Sequence, residues 1–331
     1  MPSNLLVTGA LVVTALVFDF LNGFHDSANV VATTISSRAL SPRKALVLAA
    51  LAEAAGPFLF GVAVATTIGD EIIASQAITS TVIFAGLLGA IAWNVITWLL
   101  GIPSSSSHAL IGGLVGAVAM GYGFSAVQAA GIRKVIIALL ASPILGLAVG
   151  YLFMKLLLWL SRMATPGANR FFKSAQVVTS LGLALSHGSN DAQKTMGIIA
   201  MALLSGGFID TFHVPIWVVA ACAAAIALGT LTGAWRIIRT LGAKFYRIRP
   251  IHGFSAQAAS AGVILGAALL GGPVSTTQVV SSTIIGVGSA ERLSKVRWGV
   301  AGEIAIAWVL TIPASMLISA LLYIPLHAWL G

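Results

Sequence analysis

The sequence predicts an all-α, polytopic membrane protein built as two inverted-topology repeats, with about 10–12 membrane segments once broken or re-entrant helices are counted. Three observations carry that expectation. The 331 residues are 58% hydrophobic and only 8% charged, where a soluble domain carries about 25% charged. The apolar residues gather into ten runs, most of them near the roughly 20 residues that a bilayer-spanning helix needs. Short polar motifs in the first half recur in the same order in the second.

Such a composition, with a mean hydropathy of +0.99, leaves too little polar surface to cover a soluble protein of this size. An ordinary cytosolic enzyme, a disordered chain and a secreted disulfide scaffold are excluded. Cys222 is the only cysteine, so an intrachain disulfide and a Cys-x-x-Cys metal site are excluded as well.

The runs fall at roughly 4–34, 45–68, 81–101, 104–121, 135–160, 176–205, 216–235, 251–271, 274–288 and 299–322. The first has no basic residue ahead of it and no small-residue cleavage site before the polar stretch Asn22–Asn29. It is therefore expected to persist as a membrane segment and not to act as a signal peptide. The first and sixth runs are overlong and interrupted by polar residues, which makes each a candidate for two broken pieces. Those at 104–121 and 274–288 are short and begin at a Pro-Ser/Thr cluster, as half-helices or re-entrant segments would. No soluble domain fits between the runs.

The formal charge of +9 is a topology signal. Arg38, Arg43 and Lys44 share one loop, and Arg162, Arg170 and Lys173 another. Arg236, Arg239, Lys244, Arg247 and Arg249 share a third, and Arg292, Lys295 and Arg297 a fourth. If ten runs alternate, these four loops lie on one side and collect 14 of the 18 basic residues. The opposite side holds Arg133 and Lys134 but also Asp70, Glu71 and Asp210. The positive-inside rule puts the four loops in the cytoplasm and both termini outside. A nucleic-acid partner is not expected.

Gly23-Phe24-His25-Asp26-Ser27 aligns with Gly188-Ser189-Asn190-Asp191-Ala192 at an offset of 165 residues. Pro103-Ser104-Ser105-Ser106-Ser107-His108 aligns with Pro273-Val274-Ser275-Thr276-Thr277-Gln278 at an offset of 170, which also carries Gly116 onto Gly286 and Pro143 onto Pro313. The chain therefore divides into a first repeat over 1–160, a short cytoplasmic linker loop over 161–175 and a second repeat over 176–331. Five spans per half is an odd number, so the second copy is inserted upside down. Secondary transporters use that architecture and hold substrate near the bilayer midplane between the repeats.

Charged side chains inside a bilayer cost at least ~2.5 kcal/mol each, so each one invites a functional reading. Asp19, Asn22, Asp26 and Asn29 sit at i, i+3, i+7 and i+10, on one helical face. They line an aqueous cavity with carboxylates as cation ligands or proton carriers, or form a buried hydrogen-bonded seam. His187, Asn190, Asp191, Gln193 and Lys194 crowd into eight residues of the partner run. Asp191 and Lys194, three residues apart, either hold a cation and an anion respectively or neutralise each other.

The Pro-Ser/Thr clusters place hydroxyls where helix N-caps belong. A helix N-terminus offers unpaired N–H groups and partial positive charge, and so binds oxyanions. Two such ends brought face to face by an inverted repeat form an anion cradle. Carboxylates, hydroxyls and unwound carbonyls beside it supply oxygen ligands for a hard cation. Glu53 and Glu303, placed toward the cytoplasmic edge, are candidate gate or coupling residues, or partners of a nearby arginine. His213, His252 and His327 lie near span ends and read as interfacial. His25 and His108 lie inside the repeated motifs, and histidine is the side chain suited to proton coupling near neutral pH. No Walker motif and no His-Glu-x-x-His occurs, so no enzyme activity is expected.

With the segments Asn22-Gly-Phe-His-Asp-Ser-Ala-Asn29 and Ser186-His-Gly-Ser-Asn-Asp-Ala-Gln-Lys194 in view, the chain resembles the inorganic phosphate transporter (PiT) family over essentially its whole length. The resemblance implies a low-affinity, cation-coupled phosphate symporter, often a homodimer, with phosphate held centrally between the repeats. It implies that Asp26 and Asp191 ligand the coupling cation or organise the phosphate site, with Asn29 and Asn190 assisting. Ser105, Ser106, Ser107, Ser275, Thr276, Thr277 and Gln278 would contact phosphate or cation. His25 stands where the sodium-coupled branch usually has Asn and is similar to the bacterial proton-coupled branch. Gln278 stands where many members have His.

The sequence reading is thus a symporter of the cell membrane importing inorganic phosphate by alternating access. Protons are favoured over sodium, and His25 joins Asp26 and Asp191 as coupling residues; if sodium is the ion, the two aspartates are its ligands. Lys194 joins the phosphate-binding set. No cofactor beyond the coupling ion is expected, and a metal–phosphate complex is a possible cargo by the same resemblance. The alternatives are a sulfate permease of the same family and a passive anion channel.

Overall fold

The computed structural model describes residues 2–70, 72–163, 165 and 167–330; Glu71, counted above among the acids of the opposite side, lies outside them. The first half holds α1 (Pro2–Ser36), α2 (Pro42–Phe60), α3 (Ala63–Asp70), α4 (Ser80–Leu100), α5 (Ser106–Tyr122) and α6 (Ala129–Leu160). The second holds α7 (Ala168–Ser205), α8 (Ile216–Thr232), α9 (Trp235–Arg239), α10 (Pro250–Leu269), α11 (Thr276–Glu291) and α12 (Trp298–Leu330). Among the described residues no strand forms. Four single helices (α1, α4, α6 and α12) and two bent pairs are long and apolar enough to cross a membrane. Leu51, Ile144, Val178, Val309 and Leu321 are among many large apolar side chains left exposed, as a lipid-facing surface requires. The chain is an integral membrane protein.

The breaks fall elsewhere than expected. α1 and α7 are continuous over 35 and 38 residues. Their polar side chains turn into the protein interior and leave the main-chain hydrogen-bond ladder intact. The second and seventh runs are bent instead, by 82° between α2 and α3 and by 63° between α8 and α9. Each break follows a glycine at positive φ, Gly61 at 79° and Gly233 at 71°, a conformation open to Gly without steric cost. Backbone freedom, not side-chain polarity, decides where these helices break. The linker expected over 161–175 is helical from Ala168, so Arg170 and Lys173 lie on α7. The basic stretch expected as a loop after 235 is helical as α9, with a π-helical turn over Thr240–Lys244.

Contacts exchange between the halves. α1 packs on α8 and α2 on α7; α6 packs on α11 and α5 on α12. Gly23 of α1 lies against the main chain of Ile226 on α8, and Gly188 of α7 against that of Glu53 on α2. At each, a Cβ would collide with backbone that has nowhere to move.

The core divides into two apolar clusters with a polar layer between them. α1 enters the first through Leu11, Ala15 and Phe18 and reaches the second at Ala28 and Val30–Ala32. α7 starts in the second with Leu183 and Ala184 and ends in the first with Met196 and Ile198. α1 and α7 therefore run in opposite directions through the same layers. The short helices start at the polar layer: α5 runs into the first cluster and α11 into the second.

Candidate functional site

α4 ends at Leu100 and α5 starts at Ser106; α10 ends at Leu269 and α11 starts at Thr276. Each pair is a helical hairpin whose extended tip carries one of the Pro-Ser/Thr clusters. Proline cannot donate to a helical ladder, and the hydroxyl that follows restarts it. Ser105 accepts from the His108 N–H at 3.2 Å, and Ser275 accepts from the Gln278 N–H at 3.3 Å. The two N-caps touch, Ser275 Oγ donating to Ser105 Oγ at 2.7 Å. Two helix N-termini thus meet tip to tip in the middle of the protein.

The carboxylates of α1 and α7 lie beside that junction. Ser106 donates to Asp26 Oδ2 at 3.3 Å, and its repeat mate Thr276 donates to Asp191 Oδ2 at 2.9 Å. Thr277 Oγ1 lies 3.2 and 3.3 Å from the Asp26 oxygens and accepts from Asn29 Nδ2 at 3.0 Å. Lys194 is ion-paired with Asp191 and donates to Ser107 Oγ at 2.5 Å and to the Val274 carbonyl at 3.0 Å. His25 Nδ1 is 2.7 Å from Asp26 Oδ1. Asp26, Asp191, Asn29, Lys194 and the Ser/Thr hydroxyls are all buried, so the site is closed to solvent on both sides.

Asp26, Asn29, Ser106, Ser107, Asp191, Lys194, Thr276 and Thr277 are directly bonded into this centre, with Ser105 and Ser275 capping it and His25 against Asp26. Asn190 is buried one step away, donating to the Gly272 carbonyl at 3.2 Å. Gln278 lies 3.4 Å from His108, its own repeat mate, behind the caps. Asp19 lies deeper along α1, where Thr195 donates to it at 2.9 Å. Glu303 is exposed on α12, away from the site. His252 is buried, with Glu291 at 2.9 Å.

Glu53 corrects the expectation of an edge position. It is fully buried beside the centre, because α2 packs on α7 through Gly56 and Gly188 and brings the carboxylate onto His187. His187 Nδ1 is 3.0 Å from Glu53 Oε1 and its Nε2 3.0 Å from Asp191 Oδ2 and 3.9 Å from Asp26 Oδ2. Thr230 donates to the other Glu53 oxygen. The i, i+4 spacing of His187 to Asp191 is the sequence signal for this contact, and nothing local in the sequence points to Thr230. One ligand atom each from Asp26, His187 and Asp191 lies within 4.8 Å of the others, close enough to share a metal ion.

Two touching helix N-termini and paired carboxylates, buried between two apolar clusters of a membrane protein, define a membrane transport protein. Comparison with known sequences gives the particular family: residues 22–319 match the model of the phosphate transporter family, and the chain belongs to that family. It is 50% identical to a probable low-affinity inorganic phosphate transporter of Rhizobium meliloti, over 95% of this chain and 94% of that one. The corresponding protein of Bacillus subtilis is 45% identical over 98% of both chains. A solved structure described as the sodium-dependent phosphate transporter superposes with a TM-score of 0.86, covering 98% of this chain and 99% of that one at 24% identity. That likeness shows the shared fold. The family is one of transporters, in keeping with the absence of enzyme motifs.

Proposed function

We propose that this chain imports inorganic phosphate across the cell membrane by symport with a cation, protons ahead of sodium. The observation that carries the reading is the meeting of two hydroxyl-capped helix N-termini at Ser105 and Ser275, flanked by Asp26 and Asp191. Free N–H groups and hydroxyls favour a tetrahedral oxyanion there. The carboxylates oppose it. Like charges about 4 Å apart at an effective dielectric near 20 repel by about 4 kcal/mol, roughly a thousandfold in affinity. Phosphate is therefore held only when cations neutralise the aspartates, and that requirement is the coupling.

His25 supports the proton. It touches Asp26 and lines a largely apolar cavity of about 330 Å³ with Phe24, Trp98 and Asn94. In this reading the repeats over 1–160 and 176–331 are inverted copies. They rock about the closed centre in alternating access, with both termini outside and the protein a homodimer. A second reading has its own observation: Asp26, His187 and Asp191 form a ligand set suited to a divalent metal, which favours a metal–phosphate complex as cargo.

Radiolabelled phosphate uptake into proteoliposomes, under an imposed proton or sodium gradient and with sulfate as competitor, tests the reading. Accumulation driven by the proton gradient and resistant to sulfate supports it. Sodium-only drive overturns the coupling ion, and sulfate accumulation the substrate. Uptake that never exceeds the external concentration makes the protein a channel.

A further inference from the structure

The transport reading above gives this inference its ground, and the two copies of the site differ at one telling pair. The repeat offsets of 165 and 170 pair Asp26 with Asp191, Asn29 with Lys194, Thr277 with Ser107 and Ser104 with Val274. In the second copy Lys194 Nζ donates to the Asp191 carboxylate, the Ser107 hydroxyl and the Val274 carbonyl. A carboxylate, a hydroxyl and a main-chain carbonyl are the oxygens a hard cation takes. An ammonium group has three N–H donors, and here each oxygen receives one.

The first copy keeps the carboxylate and the hydroxyl and has an amide where the second has the ammonium. Asn29 donates to Thr277 Oγ1, which lies against both Asp26 oxygens. The Asn29 amide oxygen is buried and has no hydrogen-bond partner. A carboxylate, a hydroxyl and an orphaned amide oxygen therefore stand where the second copy holds its lysine. His25 and His187 also face Asp26, but neither takes the place of Lys194's mate.

We propose that Lys194 is a tethered cation. Its ammonium fills, in the second repeat, the position that a mobile coupling cation fills in the first, so each phosphate travels with one mobile cation fewer than a symmetric site would take. Asp26, Asn29 and Thr277 hold the ion that moves. The lysine sits fully inside the protein with its charge spent on Asp191, so it remains behind when the cargo leaves.

Lys194→Asn gives the second copy the residue the first copy already has. Reversal potentials and radiolabelled phosphate counts from the same proteoliposomes, at one fixed pH, yield the charge moved per phosphate. The variant is expected to move one more positive charge per phosphate than the wild type; an unchanged ratio in a variant that transports overturns the proposal. A second measurement needs no transport and works on the wild type. The slope of log phosphate dissociation constant against log concentration of the driving cation counts the cations bound with phosphate. Phosphate binds more tightly as the cation rises, so the slope is expected to be about −1 for the wild type and about −2 for Lys194→Asn. A wild-type slope of −2 or steeper overturns the proposal even where the variant does not fold. Wild-type protein that neither binds nor accumulates phosphate overturns the transport reading itself, a result distinct from a wrong slope.

Discussion

Asp26→Asn removes one charge from the centre and little else. With its oxygen at the Oδ2 position the amide still accepts from Ser106 and Thr277, each at 3.3 Å, its NH2 takes the place of Oδ1 beside His25, and its volume matches the carboxylate. What disappears is the attraction between the carboxylate and a bound cation. At about 4 Å and an effective dielectric near 20, that attraction is about 4 kcal/mol. Each 1.4 kcal/mol is tenfold in affinity, so the half-saturating cation concentration should rise by roughly a thousandfold. The assay is phosphate uptake into proteoliposomes as a function of the driving cation at saturating phosphate, with elution profile and thermal stability in detergent as the check on folding. Uptake should vanish over the accessible cation range while the protein elutes and melts as the wild type does. A half-saturating concentration within threefold of wild type would refute the assignment of Asp26 to the cation.

Thr276→Val together with Thr277→Val deletes donors to both carboxylates. Hydrogen bonds to charged groups contribute about 1.5–3 kcal/mol, so equilibrium phosphate binding should weaken by ten- to a hundredfold. Gly188→Val drives a side chain into the Glu53 main chain and should lower the melting temperature sharply, whereas Gly182→Ala on the same helix, with open space around it, should not. Glu303→Gln, exposed and remote from the site, should leave uptake at its wild-type rate; a loss above twofold would place Glu303 in the coupling path.

The parts of this fold that were legible are those written in local chemistry. Each of the ten apolar runs contains a helix, four single helices and two bent pairs being long and apolar enough to cross a membrane among the described residues, and the Pro-Ser/Thr clusters marked the starts of α5 and α11. The repeat offsets identified residues that then proved to touch across the molecule, Ser105 with Ser275 and His108 with Gln278. The break positions are not legible, because polar residues at Asn22–Asn29 look disruptive in a linear reading. In three dimensions they occupy one face of an unbroken helix, while single glycines at 61 and 233 permit the bends. Glu53 was misjudged because depth along a run does not reveal which helix packs on it. Only the close approach of α2 to α7, made possible by Gly56 and Gly188, brings that carboxylate to His187. Thr230 joins Glu53 from α8, a contact 177 residues apart in sequence that no local pattern encodes.

Glu53 also separates the two cargo readings. One Glu53 oxygen lies 3.0 Å from one nitrogen of His187 while the other nitrogen lies 3.0 Å from Asp191, and neither contact is aligned as a hydrogen bond. With the ring turned into line, a carboxylate so placed fixes the orientation and tautomer of a metal-binding histidine, and loss of such a partner typically costs 10- to 100-fold in metal affinity. Glu53→Gln preserves shape and the ability to accept from Thr230 but changes what the His187 ring can donate to. If a metal–phosphate complex is the cargo, the variant should need 10 to 100 times more divalent metal for half-maximal phosphate uptake. Proton-driven uptake of free phosphate in the presence of chelator should be the same in variant and wild type only if His187 serves the metal alone. If instead phosphate travels free with a proton relayed among Asp26, His187 and Asp191, chelator has no effect on the wild type and Glu53→Gln slows uptake at every metal concentration. The ratio of the two proteins' rates with and without chelator therefore assigns His187 to metal or to proton, because one geometry cannot serve both chemistries with the same dependence on Glu53.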